Sequence, residues 1–287
     1  MRKFPEWIRR KLPEGSSERT TRKISELKLN TVCESAFCPN RSECWSKQTA
    51  TFMILGKTCT RFCKFCGVLQ GFPEMVQEDE PERVAQGAFA LGFRHVVVTS
   101  VTRDDLQDEG ANQFCRTIAA IRNLLPHVTI EILTPDFHAR YELIRQICDA
   151  RPAVFNHNLE TVRRLTRDMR PQADYDRSLE VLRLVKVCRP EILTKSGIMV
   201  GLGETREEIL QTMKDLRSVD CDILTIGQYL RPREDRQTVV CFVEPEVFLE
   251  LRGEGKRMGF REVSAGPYVR SSYHAQDVCE SAQVPVP

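Results

Sequence analysis

From residue 51 onward the chain alternates six short apolar runs, rich in β-branched residues, with longer stretches of helical patterning. This order constrains the fold most tightly, because successive strands separated by helices pair in parallel through right-handed crossovers. The runs are TFMIL (51–55), HVVVTSV (95–101), VTIEIL (128–133), AVFNH (153–157), LTKSGIMV (193–200) and DILTIG (222–227). Helices are expected over 81–92, 111–124, 138–149, 160–167, 175–187 and 206–218. In the fifth, Leu179, Leu182, Leu184 and Val185 recur near helical spacing, and Thr205 with Glu208 forms a Thr-x-x-Glu capping box ahead of the sixth.

Polar residues gather where the runs end. Thr99, Ser100, Arg103 and Asp104 follow the second run, and Thr134, Pro135 and Asp136 the third. Asn156, His157, Asn158 and Glu160 follow the fourth, Gly201, Gly203 and Glu204 the fifth, and Gln228 and Tyr229 the sixth. In a β/α barrel the active site forms at the C-terminal ends of the strands. Five such turns favour a barrel-like enzyme over a structural domain. An open doubly wound sheet carries the same groups at its switch point, and periodicity does not separate the two. Arg103 and Asp104 are read as either a pair or two solvated charges. His157 reads as an oriented strand-end residue rather than a metal ligand, and Gly201-Leu202-Gly203 as a turn or a close backbone approach rather than a phosphate loop.

A net charge of +2 provides no basic face for nucleic acid. No run of eighteen apolar residues offers a membrane span, and the basic N-terminus MRKFPEWIRRKLP lacks the apolar core of a signal peptide. A cytoplasmic setting is therefore expected, where clustered cysteines point to metal or redox chemistry rather than disulfides. Of the 12 cysteines, Cys115, Cys148, Cys188, Cys221, Cys241 and Cys279 stand singly, and most of them read as small core residues. Residues 1–30 read as an extended or partly helical arm outside the core, and CESAQVPVP (279–287) as disordered.

The remaining cysteines form two triplets. Cys59-x3-Cys63-x2-Cys66 follows directly on the first strand. Three thiolates on one tight loop suit a four-iron cubane, leaving one iron open to chelation by a small molecule. Structural zinc prefers four closed ligands in paired arms and fits this loop poorly. Cys33-x4-Cys38-x5-Cys44, with Pro39 and Asn40 implying a loop, is also one ligand short. It is either a group of free cysteines or a second cluster whose missing ligand comes from far along the chain.

The 59–66 spacing, with Phe65 before its last cysteine, resembles the radical S-adenosylmethionine (SAM) superfamily. That resemblance implies an α/β fold, a partial (β/α)6 barrel of radical SAM type, with SAM on the open iron and a 5′-deoxyadenosyl radical released on reduction. CESAFCPNRSECW, TSVTRDDLQDEGA, FNHNLETV, TKSGIMVGLGET, LTIGQYL and GPYVRSSYHA are together similar to the lipoyl synthase family. The likeness implies an N-terminal extension with auxiliary-cluster cysteines (1–50), the partial barrel (51–230) and a C-terminal extension with an Arg-Ser-Ser-Tyr serine ligand (231–287).

It further implies two 4Fe–4S clusters and SAM as cofactors. Cys59, Cys63 and Cys66 would hold the radical cluster, and Cys33, Cys38 and Cys44 with a serine oxygen the auxiliary one. Position favours Ser272 over Ser271 as that ligand, and spacing alone does not decide. An alkoxide is a weaker match for cluster iron than a thiolate, which suits an iron that must be released. The implied reaction inserts sulfur at C6 and C8 of a protein-bound octanoyl chain, with radicals removing hydrogen and the auxiliary cluster supplying sulfide. Asn156, Asn158 and Glu160 are expected to bind the ribose and amino acid portions of SAM, with Thr99, Asp136, Arg177 and Gln228 as lesser candidates.

The implied partners are octanoylated lipoyl carrier domains of 2-oxoacid dehydrogenases and the glycine-cleavage carrier protein, an electron donor, and an iron–sulfur carrier for cluster repair. Carrier domains tend to be acidic around the modified lysine. Arg2, Lys3, Arg9, Arg10 and Lys11, opposed only by Glu6, would steer them or simply be solvated. One stretch departs from the family: after GQYL its members read close to Gln-Pro-Ser and then His-Leu-Pro-Val, whereas this chain has RPREDRQTVVCF (231–242). That departure bears on carrier docking and on any loop contacts near the substrate, and not on the two cluster sites. Two other functions share parts of the pattern. A biotin-synthase-like sulfur inserter lacks the first triplet and the serine tail, and a non-catalytic iron–sulfur protein needs no polar groups at five strand ends.

Overall fold

The computed structural model describes residues 4–9 and 17–282. Its first half runs α1 (Glu18–Glu26), α2 (Val32–Ser35), α3 (Arg41–Ser46), β1 (Thr51–Ile54), the two-residue strands β2 (Thr58–Cys59) and β3 (Leu69–Gln70), α4 (Glu80–Leu91), β4 (His95–Ser100), α5 (Ala111–Leu124) and β5 (Thr129–Leu133). There follow α6 (Tyr141–Asp149), β6 (Val154–Asn156), α7 (Arg163–Met169), α8 (Tyr175–Cys188), β7 (Leu193–Val200), α9 (Arg206–Ser218), β8 (Ile223–Gln228), α10 (Pro245–Arg257), β9 (Glu262–Gly266) and α11 (Ala275–Ser281).

Seven of the strands form one sheet in the order β1-β4-β5-β6-β7-β8-β9, every pairing parallel. A doubly wound sheet reverses its strand order at a switch point. Here each strand adds beside the one before it, which is the progression of a β/α barrel. Among the described residues no pairing joins β9 back to β1, so the barrel is partial. The six expected strands are all present. The seventh, β9, is only five residues long and its Glu-Val-Ser-Ala-Gly run carries little β signal, so the sequence did not announce it. Helix α10 was also unforeseen, although Phe248 and Leu251 are buried at helical spacing. The capping box at Thr205 and Glu208 is formed.

Strand alternation sorts the side chains into two environments. Val96, Val98, Ile130, Ile132 and Phe155 enter an apolar cluster with Phe114, Ile118 and Ile144 from the surrounding helices. On the opposite face His95, Glu131 and Lys195 meet one another in the barrel interior.

Three expectations for the flanks need correction. Residues 17–30 are not outside the core: α1 buries Thr20 and Ile24, and the Thr20 hydroxyl donates to the Trp45 carbonyl at 2.8 Å. The first triplet is not a plain loop either. Cys33 lies on α2, capped by Thr31, and Cys44 on α3, with Cys38 in the turn between them. At the other end, Cys279–Ala282 are not disordered. Val278, Cys279 and Ala282 form a small apolar cluster with Val154, Leu193 and Ile223, so α11 closes the N-terminal end of the barrel. Residues 283–287, and Arg2, Lys3, Arg10 and Lys11 of the basic arm, lie outside the described residues.

Candidate active site

The loop after β1 carries Cys59, Cys63 and Cys66. Backbone N–H groups of Arg61 and Thr102 donate to the Cys59 sulfur at 3.4 Å each. Burial, with the neighbouring cysteines adding to it, pushes the Cys66 thiol up to about 12, and burial likewise raises Cys63. The loop is pinned from several sides. The Phe62 amide donates to Gln172 Oε1 at 2.8 Å, the Lys64 amide to the Met169 carbonyl at 2.9 Å, and Phe65 packs with Met169, Leu202 and Tyr229.

Beneath the loop lies Arg61, a residue the sequence reading passed over. It is 4% exposed and donates twice to Asp104 and once to Asp136, all at 2.8 Å. Asp136 also accepts from Arg177 at 2.9 Å. Burial alone would raise the Asp136 carboxyl, but Arg61, His157 and Arg177 hold it well below its usual range. The suggested Arg103–Asp104 pair is therefore replaced by two others: Asp104 pairs with Arg61, while Arg103 pairs with Asp105 at 2.8 Å.

The residues expected to bind SAM do not all converge. Asn158 donates to Glu160 at 3.0 Å and to Ser271 at 2.6 Å. Glu160 is close enough to raise both Cys63 and Cys66, so this pair does face the cysteine loop. Burial raises the Glu160 carboxyl itself, opposed by Arg170, Asn158 and Arg270. Asn156 lies deeper, donating to Glu131 at 3.2 Å. Asp136 and Arg177 are engaged with each other under the loop, and the Thr99 hydroxyl donates to the Leu133 carbonyl at 2.9 Å. Gln228 is used elsewhere: its amide group donates to the carbonyls of Tyr229 and Cys241, and its carbonyl accepts from Val243.

Gln228 thus fastens the 231–243 stretch over Gly201. At that glycine, φ is +98° and an added Cβ would meet Gln228 at 2.2 Å. The Gly201 and Leu202 amides donate to Glu204, so this is a turn satisfied from within. The departing stretch also touches the radical-cluster loop, contrary to expectation: Arg236 donates to Gln70 at 3.0 Å, Gln70 donates to the Cys63 carbonyl at 3.1 Å, and the Gln237 amide donates to the Lys64 carbonyl.

His157 behaves as an oriented strand-end residue. Its Nδ1–H donates to the Thr134 carbonyl at 2.9 Å, and burial with the nearby Arg170 charge lowers its pKa to about 4. Deeper in the barrel, Lys195 and Glu131 form an ion pair at 2.8 Å with both side chains fully buried, and His95 lies 3.4 Å from the same carboxylate. The signal for this pair was present in VTIEIL and LTKSGIMV, where a charged residue interrupts each buried strand. His95, Glu131 and Cys279 also hold three potential metal-ligand atoms close together, but Lys195 already neutralises the carboxylate.

The N-terminal triplet lines a cavity of about 280 Å³ that also includes Thr51, Glu43, Arg270 and Ser272. Of the two serines, Ser272 lines this cavity, and Ser271 turns away to Asn158. The tail is stitched to the triplet segment at two points and to β1 at a third. Asn40 donates to the Tyr268 carbonyl at 2.7 Å, Tyr273 donates to Glu43 at 3.1 Å, and Thr51 donates to Ser272 at 2.8 Å. Burial and the adjacent thiols push Cys44 up to about 12, and burial raises Cys33.

Both donor sets fit iron–sulfur clusters. Crowded thiols that resist ionisation alone are stabilised as thiolates by a shared metal core. SAM also has a chemical match: Asn156 Oδ1 and Asn158 Oδ1 are buried acceptors without a partner, suited to a ligand rich in ammonium and hydroxyl donors.

A family model for the radical SAM superfamily matches residues 53–216, and a crystal structure of methylornithine synthase superposes with a TM-score of 0.56 at 18% identity, covering 71% of this chain and 62% of that one. The structural likeness shows the fold alone. With the family match and the cysteine loop, it defines a radical SAM protein. The curated lipoyl synthase of Caldanaerobacter subterraneus subsp. tengcongensis is 54% identical over 271 residues, 94% of this chain and 95% of that protein. That of Rubrobacter xylanophilus is 51% identical over 280 residues, 97% of this chain and 87% of that protein. This chain belongs to the lipoyl synthase family.

Proposed function

We propose that this chain is a radical SAM sulfurtransferase that inserts two sulfur atoms, at C6 and C8, into a protein-bound octanoyl group to make the lipoyl cofactor. The observation that carries this reading is the cavity in which Cys33, Cys38 and Cys44 meet Ser272. A radical enzyme with a single cluster has no use for a second thiol triplet completed by a hydroxyl.

The bound cofactors, two 4Fe–4S clusters and SAM, supply hydrogen abstraction from unactivated carbons and the sulfur itself. The chain does the rest. Cys59, Cys63 and Cys66 hold one cluster, and Cys33, Cys38, Cys44 and Ser272 the other. Asn156, Asn158 and Glu160 bind the polar parts of SAM. Arg61, clamped by Asp104 and Asp136, keeps the radical-cluster loop in place. Thr99, Asp136, Arg177 and Gln228 act from outside that contact, by the bonds they make in the fold.

The octanoyl group arrives on a lipoyl carrier domain of a 2-oxoacid dehydrogenase or on the glycine-cleavage carrier protein. An electron donor and an iron–sulfur carrier complete the cycle. No described helix is long and apolar enough to cross a membrane.

Anaerobic reconstitution with iron and sulfide tests the reading. Wild type should hold about eight irons per chain, and Cys33→Ala/Cys38→Ala/Cys44→Ala about four, with SAM cleavage retained but no lipoyl product. About four irons in both proteins would reduce the triplet to a structural role.

A further inference from the structure

Adjacent serines of the tail serve two different sites. Ser272 lines the cavity of the N-terminal triplet and accepts from Thr51. Ser271 accepts the 2.6 Å hydrogen bond from Asn158 in the barrel interior. We propose that Ser271 is a positioning residue for SAM, fixing the Asn158 carboxamide so that binding at the radical site depends on a seated C-terminal tail. This rests on the functional reading above and adds a coupling to it.

Three features support the assignment. An amide nitrogen has two hydrogens to donate, and Asn158 directs one to Glu160 and one to Ser271. Both donors are therefore committed, which fixes the direction of Oδ1. That oxygen is the group left over: it is buried without a partner, on a residue 7% exposed.

The barrel wall is shaped around this contact. A Cβ at Gly197 would lie 2.9 Å from Asn158 Oδ1 and 3.2 Å from Ser271 Oγ, so the close approach requires glycine there. The tail also reaches the second partner of Asn158, because the Arg270 charge acts on Glu160. Arg270 and Ser271 thus bear on the Asn158–Glu160 pair, while Arg270 and Ser272 line the other cavity. Successive Cα atoms are only about 3.8 Å apart, so Ser272 cannot shift far without moving Ser271.

The test compares reconstituted wild type, Ser271→Ala, Asn158→Ala and the double variant. Iron is counted, and the SAM dissociation constant is read from the change in the EPR signal of the reduced radical cluster as SAM is added. All four should hold about eight irons. Leaving a buried donor unpaired should raise the dissociation constant about tenfold in Ser271→Ala. The double variant should bind no more weakly than Asn158→Ala alone, a non-additivity expected of two residues in one interaction. Wild-type affinity in Ser271→Ala, or additive losses in the double variant, overturns the proposal.

If Ser271→Ala loses half its iron, Gly197→Ala gives the decision. It crowds the same contact from the barrel side and should weaken SAM binding with the iron retained, and unchanged binding there also overturns the proposal. Wild type assayed in parallel on an octanoylated carrier reports on the functional reading by itself: missing lipoyl product would sink that reading, whereas the SAM titrations decide the role of Ser271.

Discussion

Thr51 Oγ1 donates a hydrogen bond of 2.8 Å to Ser272 Oγ, joining the first strand of the sheet to a residue 221 positions later. A donor on that oxygen favours its anionic form, the form that would ligate iron on the proposed reading. Thr51→Val removes the donor with little change of volume. At about 1 kcal/mol for the bond, iron should leave the auxiliary site about fivefold faster when a chelator is added. The radical-cluster iron should leave at the wild-type rate. Equal release from both proteins would mean that Thr51 only packs there.

Arg61 is a cation shared by Asp104 and Asp136. Arg61→Ala leaves a buried carboxylate short of its main partner, at a cost of about 3–5 kcal/mol. The cysteine loop lies directly on this network, so reconstituted iron should fall from about eight to about four per chain and SAM cleavage should cease. Arg61→Lys retains the charge but not the fork that spans two carboxylates, and should fall between.

How stability varies with pH follows from His157. Its folded pKa of about 4 lies below the usual value near 6.5, so the unfolded chain takes up this proton first. The stabilisation is fully present above 6.5 and is lost as pH falls toward 4. Between pH 7.5 and 5.5 this residue alone should remove about 1.4 kcal/mol, read from urea midpoints. His157→Gln should be less stable at neutral pH yet lack that part of the slope. An unchanged slope would show that another group titrates.

The Lys195–Glu131 pair gives a fourth prediction. Lys195→Met strands a fully buried carboxylate and should cost about 3–5 kcal/mol in thermal or urea unfolding. Adding Glu131→Gln should recover most of it. A double variant no better than the single one would place the defect in packing rather than in the unpaired charge.

The sequence was most legible where pattern and physics are local. Six strands, their helices and the capping box at Thr205 follow from periodicity. The cysteine triplets follow from spacing, because three ligands on one turn need no knowledge of the fold. What stayed hidden depends on residues far apart in the chain. Arg61 sits between two cysteines in an exposed-looking run, and only its contacts with Asp104 and Asp136 reveal it as an anchor. Gln228 ends a strand beside the others, but its side chain ties down the 231–243 stretch. Glu131 and Lys195 were visible as charges inside apolar strands, yet their pairing required knowing that β5 and β7 flank the same strand. The last residues of α11, from Cys279, read as disorder in the sequence because the buried face they belong to, Val278, Cys279 and Ala282, is too short to register as a period.

The dependence of one cavity on Cys33 and Ser272 also sets an order of biogenesis. On a ribosome, the loop of Cys59, Cys63 and Cys66 emerges while Ser272 is still untranslated. At about 5–20 residues per second, roughly 10–40 s separate the two. For that interval a nascent chain has all six cluster cysteines but lacks the serine proposed to complete the auxiliary site. On the proposed ligand set, loading of the second cluster therefore waits for the tail, and its three thiols must stay reduced until the tail folds back over them.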